Sequence, residues 1–212
     1  MNGTMENSPV VSTNNLLVER HPLEPFLPSH ARLLMLGSFP PPRKRWSIDF
    51  FYPNLQNDMW RIFGLHFFGD KQYFVDEEKR RFQKEKLVDF LQQKGIALYD
   101  TATAICRLQE NASDKFLHIV EATDIHQLLH QLPLCKAIAA TGQLATEQLC
   151  QTLQATAIPS VGQHIPVKLA DGRELSLYRM PSSSRAYPLP IEKKAIYYSA
   201  MFNELFNTPS FG

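Results

Sequence analysis

Hydrophobic and polar positions along the chain predict alternating strands and helices. Three short apolar runs, at residues 32–37, 96–100 and 137–142, are typical of buried β-strands. A fourth strand is predicted at residues 174–180, where polar and apolar residues alternate. Longer segments with a helical repeat separate these four strands.

The predicted helices have recognisable ends. The segment 76–95 has charged outer faces and is closed by Gly95, a residue type that commonly ends helices. Thr123 or Asp124 can cap a helix that runs to about residue 131. Pro190 can open the last helix, because proline is tolerated in a first turn. Two further helices are predicted over residues 54–66 and 144–153, and the last helix extends over residues 190–206.

This alternation predicts an α/β fold. We expect a three-layer sandwich in which helices cover both faces of a central, mostly parallel four-stranded sheet. Ligands of such sheets bind outside the carboxyl ends of the strands. The loops after Gly37, Asp100, Gly142 and Met180 should therefore form the working edge.

Length and charge limit the classes of protein. A chain of 212 residues suits one domain, expected over residues 23–212 after a polar, loose N-terminal extension over residues 1–22. The net charge of +1 does not favour a nucleic-acid partner, although a local basic patch is enough for one. No apolar run approaches the roughly 20 residues of a membrane span, and the N-terminus does not read as a signal peptide. We therefore expect a cytoplasmic protein without a membrane partner.

Neither the cysteines nor the histidines predict a metal site. Cys106, Cys135 and Cys150 are far apart and form no Cys-x-x-Cys, so we interpret them as reduced thiols used as small hydrophobic residues. His126 and His130 stand one helical turn apart, but two ligands without a third are weak evidence for a metal. A solvated helix face is the better interpretation of the two histidines.

Two segments at the predicted working edge carry groups suited to nucleic acid. Residues 37–60 contain aromatic side chains, which can stack on bases, and asparagines, which both donate and accept hydrogen bonds. Residues 180–187, Met-Pro-Ser-Ser-Ser-Arg-Ala-Tyr, supply hydroxyls, backbone N–H groups and an arginine. These are typical groups for positioning phosphates.

The ordered set of motifs resembles the uracil-DNA glycosylase superfamily. The motifs are Gly-Ser-Phe-Pro at residues 37–40, Phe-Tyr-x-x-x-x-Asn-x-x-Trp at 51–60, Leu-Tyr-Asp at 98–100 and Pro-Ser-Ser-Ser at 181–184. The likeness extends from about residue 33 to residue 206 and is closest to the hypoxanthine-DNA glycosylase branch, also called family six. It implies the fold of that superfamily and hydrolysis of an N-glycosidic bond in DNA.

The resemblance also implies roles for single residues. Asn57 matches the catalytic asparagine of the hypoxanthine branch, and Asp100 matches an aspartate that we count among the catalytic residues. Tyr52 matches the residue whose ring stacks on the flipped base, and Gly37, Ser38 and Phe39 of motif one complete the base-binding group. By a simpler interpretation, Asn57 bonds the helix backbone, Tyr52 belongs to the core and Asp100 braces a strand end.

Further residues are expected to contact DNA. Motif two would grip the backbone beside the lesion, a basic loop would act as a clamp, and a tyrosine would act as the wedge. These residues are Ser182, Ser183, Ser184 and Arg185 of motif two, Arg43, Lys44 and Arg45 of the loop, and Tyr187. Ser113 and Asp114 resemble a Ser-Asp pair of the family. Arg43–Arg45 could instead be a solvated loop, and residues 182–184 a plain turn.

Two positions depart from the better-known branches. Mismatch-type enzymes have asparagine where this chain has Phe39, and asparagine or histidine precedes the Pro-Ser of motif two where this chain has Met180. Both departures favour the hypoxanthine branch. They also motivate an alternative, a non-catalytic DNA-binding relative with the same fold. The near-neutral charge motivates another, a nucleoside or nucleotide hydrolase.

The implied activity is the removal of a deaminated base, uracil or hypoxanthine, from DNA. Backbone N–H groups of residues 37–39 would stabilise the departing base as its negative charge develops. Asn57 would position water or bond the base. No lysine nucleophile is implied, so we expect a monofunctional enzyme that leaves an abasic site. We expect no cofactor and no metal, and a monomer whose partner is damaged DNA.

Overall fold

Ten strands and five helices make up the part of the chain that the structure, a computed structural model, describes: residues 17–108 and 117–207. The strands are β1 (Val18–Arg20), β2 (Leu33–Gly37), β3 (Val75–Asp76), β4 (Arg81–Phe82), β5 (Ile96–Asp100), β6 (Ala102–Arg107), β7 (Leu117–Ala122), β8 (Ala137–Thr141), β9 (His164–Lys168) and β10 (Glu174–Met180). The helices are α1 (Met59–Phe68), α2 (Lys84–Lys94), α3 (Ile125–His130), α4 (Gln143–Thr152) and α5 (Ile191–Phe206).

The central sheet has five strands in the order β5-β2-β8-β10-β9. The first four are parallel neighbours, and β9 pairs antiparallel with β10 at one edge. Every residue of β2, β5 and β8 is buried. Successive side chains of a strand point to opposite faces, so both faces of the sheet are covered. The predicted α/β fold with a mostly parallel central sheet is confirmed.

The predicted count of four strands in this sheet is one too low. Strand β9 contains Pro166, and a proline inside a run argues against a sheet interior because it cannot donate a ladder hydrogen bond. The structure accommodates Pro166 because β9 is an edge strand, in which this residue lies opposite Ser176.

The predicted helix over residues 76–95 is only half helical. Strands β3 and β4 form a hairpin at residues 75–82, and α2 starts at Lys84. Phe74 and Phe82 are fully buried, and Gln83 donates from its backbone N–H to the carbonyl of Phe74. Burial of these two rings holds the charged segment between them in a hairpin, and this tertiary contact overrides its helix propensity.

A second sheet, of order β1-β6-β7, includes part of the expected loose extension. Strand β1 pairs antiparallel with β6, from Val18 opposite Cys106 to Arg20 opposite Ala104. Arg107 also pairs with Glu19, with 2.9 Å between Nε and Oε1. Residues 18–20 are therefore a paired strand, whereas residues 1–16 lie outside the described part of the chain.

Helices α1 and α5 pack on each other through aromatic rings. The centroids of Phe63 and Phe202 are 5.0 Å apart, and both residues are fully buried. The predicted start of the last helix is confirmed, because Pro190 directly precedes its first residue. Within the described residues, no helix is both long and apolar enough to cross a membrane.

Candidate active site

A pocket of about 100 Å³ opens at the carboxyl ends of the parallel strands. Its walls are the end of β2 with the loop that follows (residues 37–41), the segment before α1 (residues 51–54, 56 and 57) and the loop after β10 (residues 182–184). Asp100 at the end of β5 and Thr141 at the end of β8 complete the lining. The pocket therefore lies where the strand order predicted a ligand site.

Gly37 and Asp100 meet as neighbours in register at the ends of β2 and β5. A Cβ atom on residue 37 would lie 2.4 Å from Oδ1 of Asp100, and 3.7 Å from the hydroxyl oxygen of Tyr52. Residue 37 must therefore lack a side chain, because the carboxylate occupies that space. Asp100 is buried, with a relative exposure of 7%.

His21 bonds the other oxygen of Asp100. Nε2 of His21 lies 2.9 Å from Oδ2, and the side chains of the two residues are 2% and 9% exposed. Burial, with the negative charge of Asp100 as a smaller contribution, raises the pKa of neighbouring Tyr99 to about 12. Sequence reasoning missed His21, because it lies in the stretch interpreted as an extension and no motif includes it.

Tyr52 borders the pocket from a strained backbone conformation. Its φ is +47°, a left-handed value that is uncommon for residues other than glycine. The hydroxyl lies 3.2 Å from Oγ1 of Thr141, and the ring packs edge-on against Trp60, with centroids 5.7 Å apart. Local strain of this kind often occurs at functional sites, where the surrounding structure holds it.

Asn57 lies at the entrance of α1, which begins at Met59 and not at the predicted residue 54. Oδ1 of Asn57 accepts a hydrogen bond from the backbone N–H of Met59 at 2.9 Å. This bond assigns the amide, because only the oxygen can accept, and it leaves Nδ2 as a donor. Asn57 thus bonds the helix backbone, as in the simpler interpretation, and also lines the pocket.

A buried ion network supports the third wall of the pocket. Asp58 receives Lys194 Nζ on Oδ2 and Arg185 Nε on Oδ1, each at 3.0 Å. Lys194 is fully buried and also donates to the carbonyl of Ser184 at 2.8 Å. The backbone N–H of Asp58 donates to the carbonyl of Ser183. The loop of motif two is therefore bound to α1 and α5.

The residues expected to bind DNA divide into two groups. Ser182, Ser183 and Ser184 line the pocket, whereas the guanidinium of Arg185 bonds Asp58 while its side chain is half exposed. The remaining four, Arg43, Lys44, Arg45 and Tyr187, are not part of the pocket lining. Arg43–Arg45 forms a single turn of 3-10 helix, in which Arg43 pairs with Asp49 and lies over the ring of Trp46.

Phe39 and Met180, the two departures from the better-known branches, have different surroundings. Phe39 lines the pocket and packs edge-on against His21, with ring centroids 5.3 Å apart. Met180 is 1% exposed and belongs to the core. The pair Ser113 and Asp114 lies outside the described residues.

Within the described ranges, 17–108 and 117–207, no group of three histidine, cysteine, aspartate or glutamate residues is arranged to hold a metal ion. All three cysteines are buried, and none forms a disulfide within the described residues. Burial raises the pKa of the Cys135 thiol to about 11.

Fold and site together define an α/β protein with a polar pocket at the carboxyl edge of its central sheet. No protein-family model matches the chain, and no curated protein sequence does. The fold is similar to the solution NMR structure of a protein from Methanosarcina acetivorans named a "putative Uracil DNA glycosylase". That similarity has a TM-score of 0.57 at 22% sequence identity, and covers 89% of this chain and 99% of the other. This chain therefore has a fold of the uracil-DNA glycosylase type.

Proposed function

We propose that the protein is a monofunctional DNA glycosylase that removes a deaminated base, uracil or hypoxanthine, and leaves an abasic site. The fold supports this class of enzyme, as does a pocket at the working edge of the sheet. A volume of about 100 Å³ is well below that of sites for drug-sized ligands and suits a group as small as one base. DNA would therefore present its target base flipped out of the helix.

The observation that carries the proposal is the opposite hydrogen-bonding character of Asn57 and Asp100, which line the same pocket. The backbone N–H of Met59 donates to Oδ1 of Asn57, so this side of the amide is engaged with the helix. The other side carries Nδ2, which is a donor. An ionised Asp100 carboxylate can only accept. Uracil and hypoxanthine each present a carbonyl oxygen beside a ring N–H, which matches one donor and one acceptor. Cytosine and adenine present the reverse order, an amino donor beside a ring acceptor, so they would have to meet Asn57 and Asp100 in the opposite orientation.

The other pocket walls suit a flipped nucleotide. The ring of Tyr52 provides a stacking surface for the base, worth about 1–3 kcal/mol per base in comparable sites. Ser182 and Ser184 provide hydroxyls at the rim for the phosphates beside the lesion. The ion network of Asp58 holds this loop in place.

In the proposed reaction, the bond between C1′ and the base nitrogen breaks and its electron pair stays with the base. Nδ2 of Asn57 and the backbone N–H groups of residues 37–39 stabilise the resulting negative charge. Water attacks C1′ of the cationic sugar and loses a proton, for which Asp100 provides the acceptor. The anionic base takes up a proton from solvent water and leaves, and Asp100 later returns its proton to solvent. Lys194 is not a nucleophile in this scheme, because its amine donates to Asp58 and Ser184 and lies outside the pocket lining.

A base-release assay tests the proposal. The protein is incubated with labelled oligonucleotides that carry uracil or hypoxanthine, single-stranded and opposite each base, and abasic sites are then cleaved with alkali. We expect cleavage on at least one lesion, and a rate about 10²–10³-fold lower for Asn57→Ala, as for the loss of one oxyanion donor. Asn57→Ser should lose as much, although its hydroxyl can still cap α1.

Asn203→Ala is the matched control, because Asn203 lies on the exposed side of α5 and should retain full activity. No base release from any lesion, with folded protein in excess, would contradict the proposal. DNA binding without base release would then favour a non-catalytic relative, the alternative that Phe39 and Met180 motivate. Turnover of free nucleosides without salt-dependent DNA affinity would instead favour a nucleoside hydrolase.

A further inference from the structure

His21 holds the pocket carboxylate from outside the pocket lining. Its Nε2 lies 2.9 Å from Oδ2 of Asp100, whereas Oδ1 lies beside Gly37. One carboxylate oxygen is thus held by the imidazole, and the other lies against the strand end that lines the pocket. The histidine itself does not line the pocket.

The carboxylate of Asp100 determines which forms of the His21 ring fit between the two partners of the ring. Nδ1 lies 2.9 Å from the carbonyl oxygen of Leu23 and 3.2 Å from its backbone nitrogen. A neutral ring protonated at Nε2 accepts the N–H of Leu23 at Nδ1, and a doubly protonated ring donates from Nδ1 to the carbonyl. In both forms Nε2 carries a proton and donates to Asp100, whereas a ring protonated only at Nδ1 would leave no proton between Nε2 and an acceptor-only carboxylate.

Aromatic packing and strand pairing fix the ring. The imidazole packs against Phe39, Phe51 and Tyr99, with centroids 5.3, 6.3 and 4.6 Å away. The backbone N–H of His21 donates to the carbonyl of Thr103 at 2.8 Å, which continues the pairing of β1 with β6. Because β6 follows β5 almost directly, the segment that delivers His21 is attached to the chain just beyond Asp100.

We propose that His21 is a positioning residue that keeps Oδ1 of Asp100 directed into the pocket and also braces Phe39. This inference rests on the proposed function of Asp100 and extends it to a residue that no motif includes. The imidazole does not touch the base, but acts through the carboxylate. Its removal should therefore slow the chemical step and leave DNA affinity unchanged.

Single-turnover base release, with saturating DNA, tests this role. His21→Phe keeps an aromatic ring among the same neighbours but removes the donor, and we expect a rate at least tenfold lower at unchanged DNA affinity. His21→Gln places an amide donor near the position of Nε2 and should recover most of the rate. His126→Phe is the matched control on an exposed face of α3 and should leave the rate unchanged.

A double variant distinguishes action through Asp100 from a general loss of structure. In an Asp100→Asn background, His21→Phe should cause little further loss, because the carboxylate that it positions is already absent. Equal losses in both backgrounds would overturn the proposal, and so would a His21→Phe rate within twofold of the parent.

The ring nitrogens provide a measurement that needs no activity. The ¹⁵N NMR shifts of His21 in the intact protein should report a protonated Nε2, and Asp100→Asn should change them. A ring protonated only at Nδ1 would refute the proposal, even if His21→Phe fails to fold. Absence of base release from the unaltered protein would instead refute the proposed function, while the NMR result still decides whether His21 holds Asp100.

Discussion

Asp58 and Asp100 are two buried carboxylates near the candidate pocket, and only Asp100 lines it. Asp58 has a cationic side chain on each oxygen, Lys194 and Arg185, both at 3.0 Å. Among the described residues, Asp100 pairs with His21 through Oδ2, and its Oδ1 lies beside Gly37. Because each oxygen of Asp58 bonds a cationic side chain and Asp58 lies outside the pocket lining, this carboxylate can hold a loop but is not placed to bond a substrate. We therefore infer a structural role for Asp58 and a chemical role for Asp100.

The largest effect is expected from Lys194→Met, which leaves Asp58 buried without its fully buried partner. Breaking a buried ion pair from one side typically costs about 3–5 kcal/mol in free energy of unfolding. Urea denaturation measures this loss. Lys193→Met, at an exposed position of the same helix turn, should change stability by less than about 0.5 kcal/mol. Equal stability of the two variants would show that the network around Asp58 does not hold the structure.

Asp100→Asn should separate the two carboxylates by function. We expect base release about 10²-fold slower, at the lower end of losses for a general base, while the protein stays folded. Asp58→Asn should have the reverse profile, a lower free energy of unfolding and near-normal chemistry in the fraction that folds. Denaturation curves and single-turnover rates for both variants test this. If the two variants lose stability and rate to the same extent, the two carboxylates do not have different roles.

A smaller effect is expected from Gly37→Ala. The added methyl would lie 2.4 Å from Oδ1 of Asp100, so the carboxylate must move. Overpacking of this kind costs about 1–3 kcal/mol in stability, and the displaced carboxylate should also lower the rate of base release. Shortening residue 100 in the double variant Gly37→Ala with Asp100→Ala should recover the lost stability but not the rate. If Gly37→Ala alone changes neither the stability nor the rate of base release, residue 37 and the carboxylate of Asp100 are not in close contact.

Strands and helices with a regular pattern were predictable, and those stabilised by distant contacts were not. The run at residues 96–100 predicted β5 with its exact bounds, because its alternate residues are buried on both faces. Strands β3 and β4 were predicted as helix, because the burial of Phe74 and Phe82 outweighs the local preference. Strand β9 was missed because Pro166 is compatible with a strand only at a sheet edge.

The same contrast applies to the candidate site. The residues of motif one and motif two, with Asn57 and Asp100, were predicted from short motifs and their position after strands. All of these except Pro181 and Arg185 line the pocket. Lys194 and His21, which hold Asp58 and Asp100, could not be predicted in the same way. Each is far along the chain from its partner, so no local spacing links the two.

The amino-acid sequence by itself determined the layers of this protein and the edge of the sheet at which its site lies. Hydrophobic periodicity decides which faces are buried, and the strand ends decide where loops converge. Only the tertiary structure decided which charged and polar groups are paired. Pairing depends on distances between remote segments, such as the 2.9 Å between His21 and Asp100, and those distances follow from the packing of the whole chain.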